Sequence, residues 1–148
     1  MNHFWLFVHL FGFTMWLGGA MAAMFAGIAS RSEDRASLGA VARALAAIQR
    51  SVIAPGSVLV ILSGLVLTFK VAGGPGPSPW LMAMQGAGLI GALVNIAVLL
   101  PTATRAARID PTGPNGAYFD ELRNRTRVVG MIAGTLGLIA LVSGVMLR

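Results

Sequence analysis

The chain has 148 residues, of which 56% are hydrophobic and only 11% charged, with a formal net charge of +6 and no cysteine. That is enough for one domain and too apolar for an ordinary soluble one, so nothing in it reads as a soluble enzyme. Its basic residues sit in short segments between long apolar runs, not as a basic face among aromatics, which excludes nucleic acid; the missing cysteines exclude disulfides, thiolate metal sites, iron–sulfur clusters and covalent haem attachment.

The first apolar run, residues 4–29, is interrupted only by His9 and Thr14 and exceeds the roughly 20 residues that cross a bilayer core. No Lys or Arg precedes it, and the first positive charges follow it at Arg31 and Arg35, so it reads as a retained helix and not as a cleaved signal peptide. Residues 32–50 mix Arg35, Arg43 and Arg50 with apolar residues at helical spacing, the pattern of an interfacial segment. A second span is expected at 51–69, with Pro55 and Gly56 in its first turns. The glycine- and proline-rich stretch 70–79 predicts a tight turn between antiparallel spans. A third span at 80–100 starts on the interfacial anchor Trp80 and stops before Pro101; a fourth covers 128–147. Between them, 101–127 is polar, with a turn-rich stretch from Asp110 and a charged helical piece from Asp120 to Arg127 that feeds the last span.

The charges choose an orientation. Arg31, Arg35, Arg43, Arg50, Arg105, Arg108, Arg123, Arg125 and Arg127 fall in the loops 30–50 and 101–127, and the opposite side has only Lys70 and Arg148. The positive-inside rule makes those two loops cytoplasmic, 70–79 an outer loop, and both termini external. The expected fold is all-α: a polytopic, antiparallel four-helix transmembrane bundle over 1–148, N-out and C-out, with the lipid bilayer as partner.

Lipid gives helices no hydrophobic reason to associate, so close backbone approach must supply the contact. Gly19, Ala23 and Gly27 form such a ridge on the first span, Gly88 and Ala92 on the third, and Gly130, Gly134 and Gly137 on the fourth, while the second has none as evident. A compact bundle follows, equally able to include a second copy or a larger membrane complex.

His9 is the residue that most invites a function, because an ionisable group two turns inside a membrane helix is costly to bury. At roughly 100° per residue, His9, Gly12, Trp16, Gly19 and Ala23 share one face, so the imidazole lies beside a strip with little bulk on which a flat cofactor would fit. The alternative is that neutral His9 donates to a carbonyl of a neighbouring helix or to Ser57, Ser63 or Asn95, with the glycines serving packing alone. His3, on another face at the membrane edge, cannot share a haem with it in one chain. The methionines raise a copper reading, since thioether suits Cu(I), but Met21-x-x-Met24 sits away from the outer face and most of the others read as apolar packing. Asn95 reads as an interhelical hydrogen bond. No carboxylate lies within a span, which argues against a proton-driven transporter.

The segment His9 to Phe25, HLFGFTMWLGGAMAAMF, resembles the first helix of the CopD-like and HemJ-like group of small bacterial membrane proteins: a His, six residues, a Trp, then a small pair. Pro55 to Phe69 is similar to that group's second helix and Trp80-Leu81 to the start of its third, so the resemblance covers most of residues 3–100. It implies a bacterial inner-membrane bundle of four or more helices associated with copper uptake, b-type haem or porphyrinogen oxidation, with His9 as the haem or metal ligand. Met84 stands where HemJ-like members carry a Lys, and the Arg and Tyr near the end of their first helix are missing here, which counts against protoporphyrinogen oxidase activity. The departures leave a His9 and Met84 axial pair on haem b, with copper as alternative ligand. A cofactor-free accessory or assembly subunit is the competing reading.

Overall fold

Five apolar residues in every nine leave a chain of this size little choice but helices, since backbone polar groups in lipid must be satisfied within their own segment. The computed structural model describes residues 2–71 and 78–147, and among them it holds helices and turns without strand. In chain order these are α1 (Asn2–Ala29), a 3₁₀ turn (Ser30–Ser32), α2 (Leu38–Ile48), a π-helical turn (Gln49–Ile53), α3 (Ala54–Val71), α4 (Pro79–Val94), a second π-helical turn (Asn95–Leu99), α5 (Leu100–Ala106) and α6 (Gly116–Val145). They make four runs long and apolar enough to cross a membrane: His3–Ser32, Leu38–Phe69, Pro79–Ala106 and Gly116–Val145. Most of the turn expected at 70–79 lies outside the described residues, as do the Lys70 side chain and Arg148.

Two helical runs are longer than the expected spans. Within 32–50, the expected interfacial segment leading into the second span, α2 passes through the π turn into α3, and the third helical run continues beyond Pro101 to Ala106. Proline cannot donate to the carbonyl four residues back and its ring collides with it. Here each proline follows a π turn by two residues: Pro55 after Gln49–Ile53 and Pro101 after Asn95–Leu99, with Ala54 N–H bonding Gln49 O and Leu100 N–H bonding Asn95 O. The slip to five-residue bonding moves the obstructed carbonyl away, so the helix bends around the proline instead of stopping. α4 starts one residue before the expected Trp80: Pro79 is in the first turn and Ser78 Oγ accepts from Leu81 N–H at 3.2 Å. α6 begins at Gly116, taking in the charged piece 120–127 as its first turns.

Helix pairing is unequal. α1 packs most extensively on α3 and α4 on α6, with α3–α4 and α1–α6 closing the square. Its core is Phe13, Trp16, Ile53, Val60, Ala92 and Ala140. A second small core of Leu38, Ala42 and Phe119 ties α2 to the start of α6 at the arginine-rich end. Outside these the large apolar side chains face outward, among them Phe7 at 63% exposed, Leu62 at 54%, Leu89 at 49% and Val142 at 53%. Such a surface is stable only against lipid tails. Hydroxyls inside the spans bond back to the carbonyl four residues earlier, as Ser57 does to Ile53 at 2.9 Å and Thr68 to Gly64 at 2.8 Å, and so remain satisfied there.

Candidate functional site

His9, buried at 9% exposure, lies where α1 meets α3. Its Nδ1 is 3.0 Å from Ser63 Oγ, its Cε1 lies against the Cα of Gly64, and Phe13 meets its ring edge-on at 5.2 Å between centroids. The hydroxyl of Ser63 has one proton, which it gives to the Leu59 carbonyl. Ser63 Oγ therefore accepts from His9, so Nδ1 carries the imidazole proton and Nε2 keeps a lone pair. Among the described residues the one fully buried side-chain nitrogen or oxygen without a partner is Trp16 Nε1, so Nε2, which has no hydrogen bond either, is not sealed inside the bundle.

The small strip beside His9 is filled by protein. A Cβ on Gly12 would sit 3.0 Å from Gly56 O and 3.0 Å from Leu59 Cβ, and one on Gly19 would sit 2.7 Å from Ile53 Cγ1. Gly12 lets α3 approach α1 backbone to backbone, the side chains of Val52 and Ile53 in the π turn fill the place at Gly19, and the strip has no room for a porphyrin inside one chain. Trp16, with 0% exposure, turns across the bundle instead, its ring edge lying where a Cβ would stand on Gly91 of α4 (2.9 Å) and in van der Waals reach of Gly137 of α6, whose Cβ place is taken by Leu17 Cδ2 (2.8 Å). Phe13 stacks on it at 5.7 Å, so His9, Phe13 and Trp16 form a continuous aromatic row along α1. Met84 sits half-buried on α4, its Sδ 3.2 Å from the place of a Cβ on Gly144 of α6. His9 and Met84 thus meet different helices. Met21, Met24, Met82, Met131 and Met146 are exposed, and among the described residues no group of three His, Cys, Asp or Glu side chains is placed to hold a metal ion.

A second buried polar cluster joins the middle of the bundle. Asn95 Nδ2 donates to Ser57 Oγ at 3.2 Å, and Gln49 Nε2 donates to Asn95 O at 3.2 Å, the carbonyl that also accepts across the π turn. Each π turn thus opens on an amide residue, and the two amides lock the second and third runs together. Gln85 does the same further along, giving a hydrogen bond to Thr68 Oγ1 at 2.8 Å. Sequence reasoning found Asn95 but not Gln49 or Gln85; the signal was an amide two turns from a proline, or in an apolar span. Replacing Asn95 by alanine is expected to lower the unfolding free energy in detergent by about 1 kcal/mol, in line with interhelical hydrogen bonds in membrane bundles. An unchanged SDS-unfolding midpoint would show that the cluster contributes nothing.

At the arginine-rich end, Arg35 fastens the 110–120 segment: Nε donates to Pro111 O at 2.7 Å, and Nη2 to Gly116 O at 3.2 Å and to Asp120 Oδ2 at 3.0 Å. The ion pair is half exposed and by itself worth at most about 1 kcal/mol; the two carbonyl bonds fix the backbone. Arg123 Nη2 donates to Ser30 Oγ at 2.9 Å, linking α6 to the end of α1. Asp110 is held below the usual carboxylate range by hydrogen bonds from Thr112, whose N–H and Oγ1 both reach Oδ1.

Four antiparallel apolar helices with a lipid-compatible surface and hydrogen-bonded polar groups inside define an integral membrane four-helix bundle. The chain matches over residues 4–148 the family model described as predicted integral membrane protein, DUF2269, and belongs to that family. No curated protein and no solved structure matches it. The CopD-like and HemJ-like resemblance thus stays one of motif, and the family shown is DUF2269.

Proposed function

We propose that this bundle presents His9 as the imidazole ligand of a b-type haem, or alternatively of a copper ion, at the end where α1 begins, in a bacterial plasma membrane with both termini outside. The supporting observation is the 3.0 Å contact of His9 Nδ1 with Ser63 Oγ: with the Ser63 proton given to the Leu59 carbonyl, the imidazole donates from Nδ1 and leaves a lone pair on an unsealed Nε2, the arrangement by which a ligating histidine is held by a hydrogen bond at its other nitrogen. Because α3 and the π turn before it fill the strip at Gly12 and Gly19, a haem would lie outside the single bundle, with its second axial ligand from another copy. Met84, turned toward α6, is not assigned that place.

The test is an oxidised and dithionite-reduced spectrum, with metal analysis, of the detergent-purified protein beside three variants. His9→Ala is expected to abolish the Soret band or the bound copper, Ser63→Ala to weaken retention by roughly tenfold or more, and Met84→Ala to leave the spectrum unchanged. A colourless, metal-free wild type sinks the proposal. It favours the second reading, a cofactor-free accessory subunit of a larger membrane complex, for which two observations speak. The His9–Ser63 bond serves helix pairing as it stands, and Gly130 and Gly134 of α6 have nothing within 4 Å, leaving a flat face for another helix.

A further inference from the structure

The arginine-rich end carries a cavity of about 280 Å³ between α2 and the turn after α5, lined by Arg43 on one side and Arg108, Asp110 and Pro111 on the other. We propose that it binds a phosphate group, presented by the headgroup of an anionic phospholipid. Two of the arginines at this end hold protein groups, Arg35 bonding Pro111, Gly116 and Asp120, and Arg123 bonding Ser30. Arg43 and Arg108 form no side-chain hydrogen bond or ion pair among the described residues, yet both line this cavity. Asp110 also lines the cavity and stays charged, its Oδ1 held by Thr112 at 2.9 Å and 2.7 Å, but it makes no ion pair with either arginine among the described residues, so two positive charges face the space against one negative. Two uncommitted guanidiniums, which suit phosphate oxygens as paired donors, therefore face one space.

The cavity is shaped as well as charged. Gly39 forms part of its wall, and a Cβ there would stand 3.5 Å from Arg43 Nη1 and 3.4 Å from Pro111 Cδ, so the missing side chain keeps the opening clear. The opposite wall is held by the 2.7 Å bond from Arg35 to Pro111 O.

Depth selects the ligand. At 1.5 Å per residue, Arg43 lies about 39 Å along the helical run from Phe69, and Ala106, the helix end two residues before Arg108, about 39 Å from the interfacial Trp80. Both distances overshoot a hydrocarbon core of roughly 30 Å and land within the headgroup layer. One arginine on α2 and one in the turn after α5 thus come to lipid phosphate level, in the kind of basic pocket between helix ends that recognises acidic headgroups.

The test uses the full chain in nanodiscs of phosphatidylcholine alone or mixed with phosphatidylglycerol, reading the lipid retained on the protein by native mass spectrometry after release. Wild type is expected to retain phosphatidylglycerol over phosphatidylcholine. Arg43→Gln/Arg108→Gln is expected to lose that preference by roughly tenfold or more. The charge-matched pair Arg125→Gln/Arg127→Gln, removed from the cavity, is expected to lose much less. Gly39→Val keeps every charge and fills the opening, and its loss of preference is the result a diffuse basic surface would not produce. Competition by inorganic phosphate, measured in detergent, separates the sources. Arginine-dependent phosphate binding without lipid preference retains the phosphate site and assigns it a soluble phosphate. No preference in wild type together with no phosphate binding, or equal losses in the two double variants with Gly39→Val unaffected, overturns the proposal. Circular dichroism melts of each variant confirm that the bundle is intact.

Discussion

Gly56→Ala is expected to lower the stability of the bundle by about 3 kcal/mol, more than any other addition of a single methyl group. The new Cβ would lie 2.8 Å from Gly12 O, 2.8 Å from Met15 Cβ and 2.8 Å from the backbone nitrogen of Trp16. Two of these three atoms are backbone, so no rotamer change relieves the contact and α1 and α3 must move apart. In lipid the pair is held by van der Waals contact and a few polar bonds, both of which weaken steeply with separation. The His9–Ser63 bond, on the same interface, would lengthen with it. Gly130→Ala is the control, since nothing lies within 4 Å of its added Cβ; it is expected to change stability by less than about 0.5 kcal/mol. SDS unfolding in mixed micelles measures both. Equal midpoints for the two variants would refute the close approach of α1 and α3.

Trp16→Ala should cost about as much by the opposite route, a void of indole size where the two helix pairs meet, at roughly 3 kcal/mol or more. Trp16 is fully buried, its ring occupying the space left by Gly91 on α4 and lying against Gly137 on α6, where Leu17 Cδ2 fills the space beside it. Neither α4 nor α6 can close over the gap without giving up its packing on the other. Trp16→Phe isolates a second effect. The indole Nε1 is buried without a partner, a state that costs about 1–3 kcal/mol, so removing that N–H offsets part of the lost volume. The expected order of unfolding midpoints is wild type close to Trp16→Phe, with Trp16→Ala far below. A Trp16→Phe variant as damaged as Trp16→Ala would mean that the N–H has a partner after all.

Much of the architecture was legible because membrane spans are a one-dimensional signal. Length, apolarity and the position of arginines require only composition along the chain, whereas the Ser78 cap and Pro79 first turn of α4 lay within the stretch read as turn. That the helix continues through Pro101 was not legible, because a π turn absorbs the steric conflict and nothing in composition distinguishes a proline that ends a helix from one that bends it.

The candidate site divides along the same line. That His9, Gly12, Trp16 and Gly19 share one face of α1 is a property of helical periodicity, and the sequence by itself determined it, along with the presence of an ionisable group inside a span. What that face meets is a property of two helices at once. Only the tertiary structure decided that Gly56, on a helix with no evident small-residue ridge, would press into the strip, that Ser63 and not Ser57 or Asn95 would take the imidazole proton, and that Trp16 would cross to Gly91 and Gly137. It likewise brought Arg43 and Arg108, 65 positions apart, to one cavity. The physical reason is that a glycine is the absence of a side chain: it permits close approach without specifying by what, and the partner is settled by the packing of all four helices together.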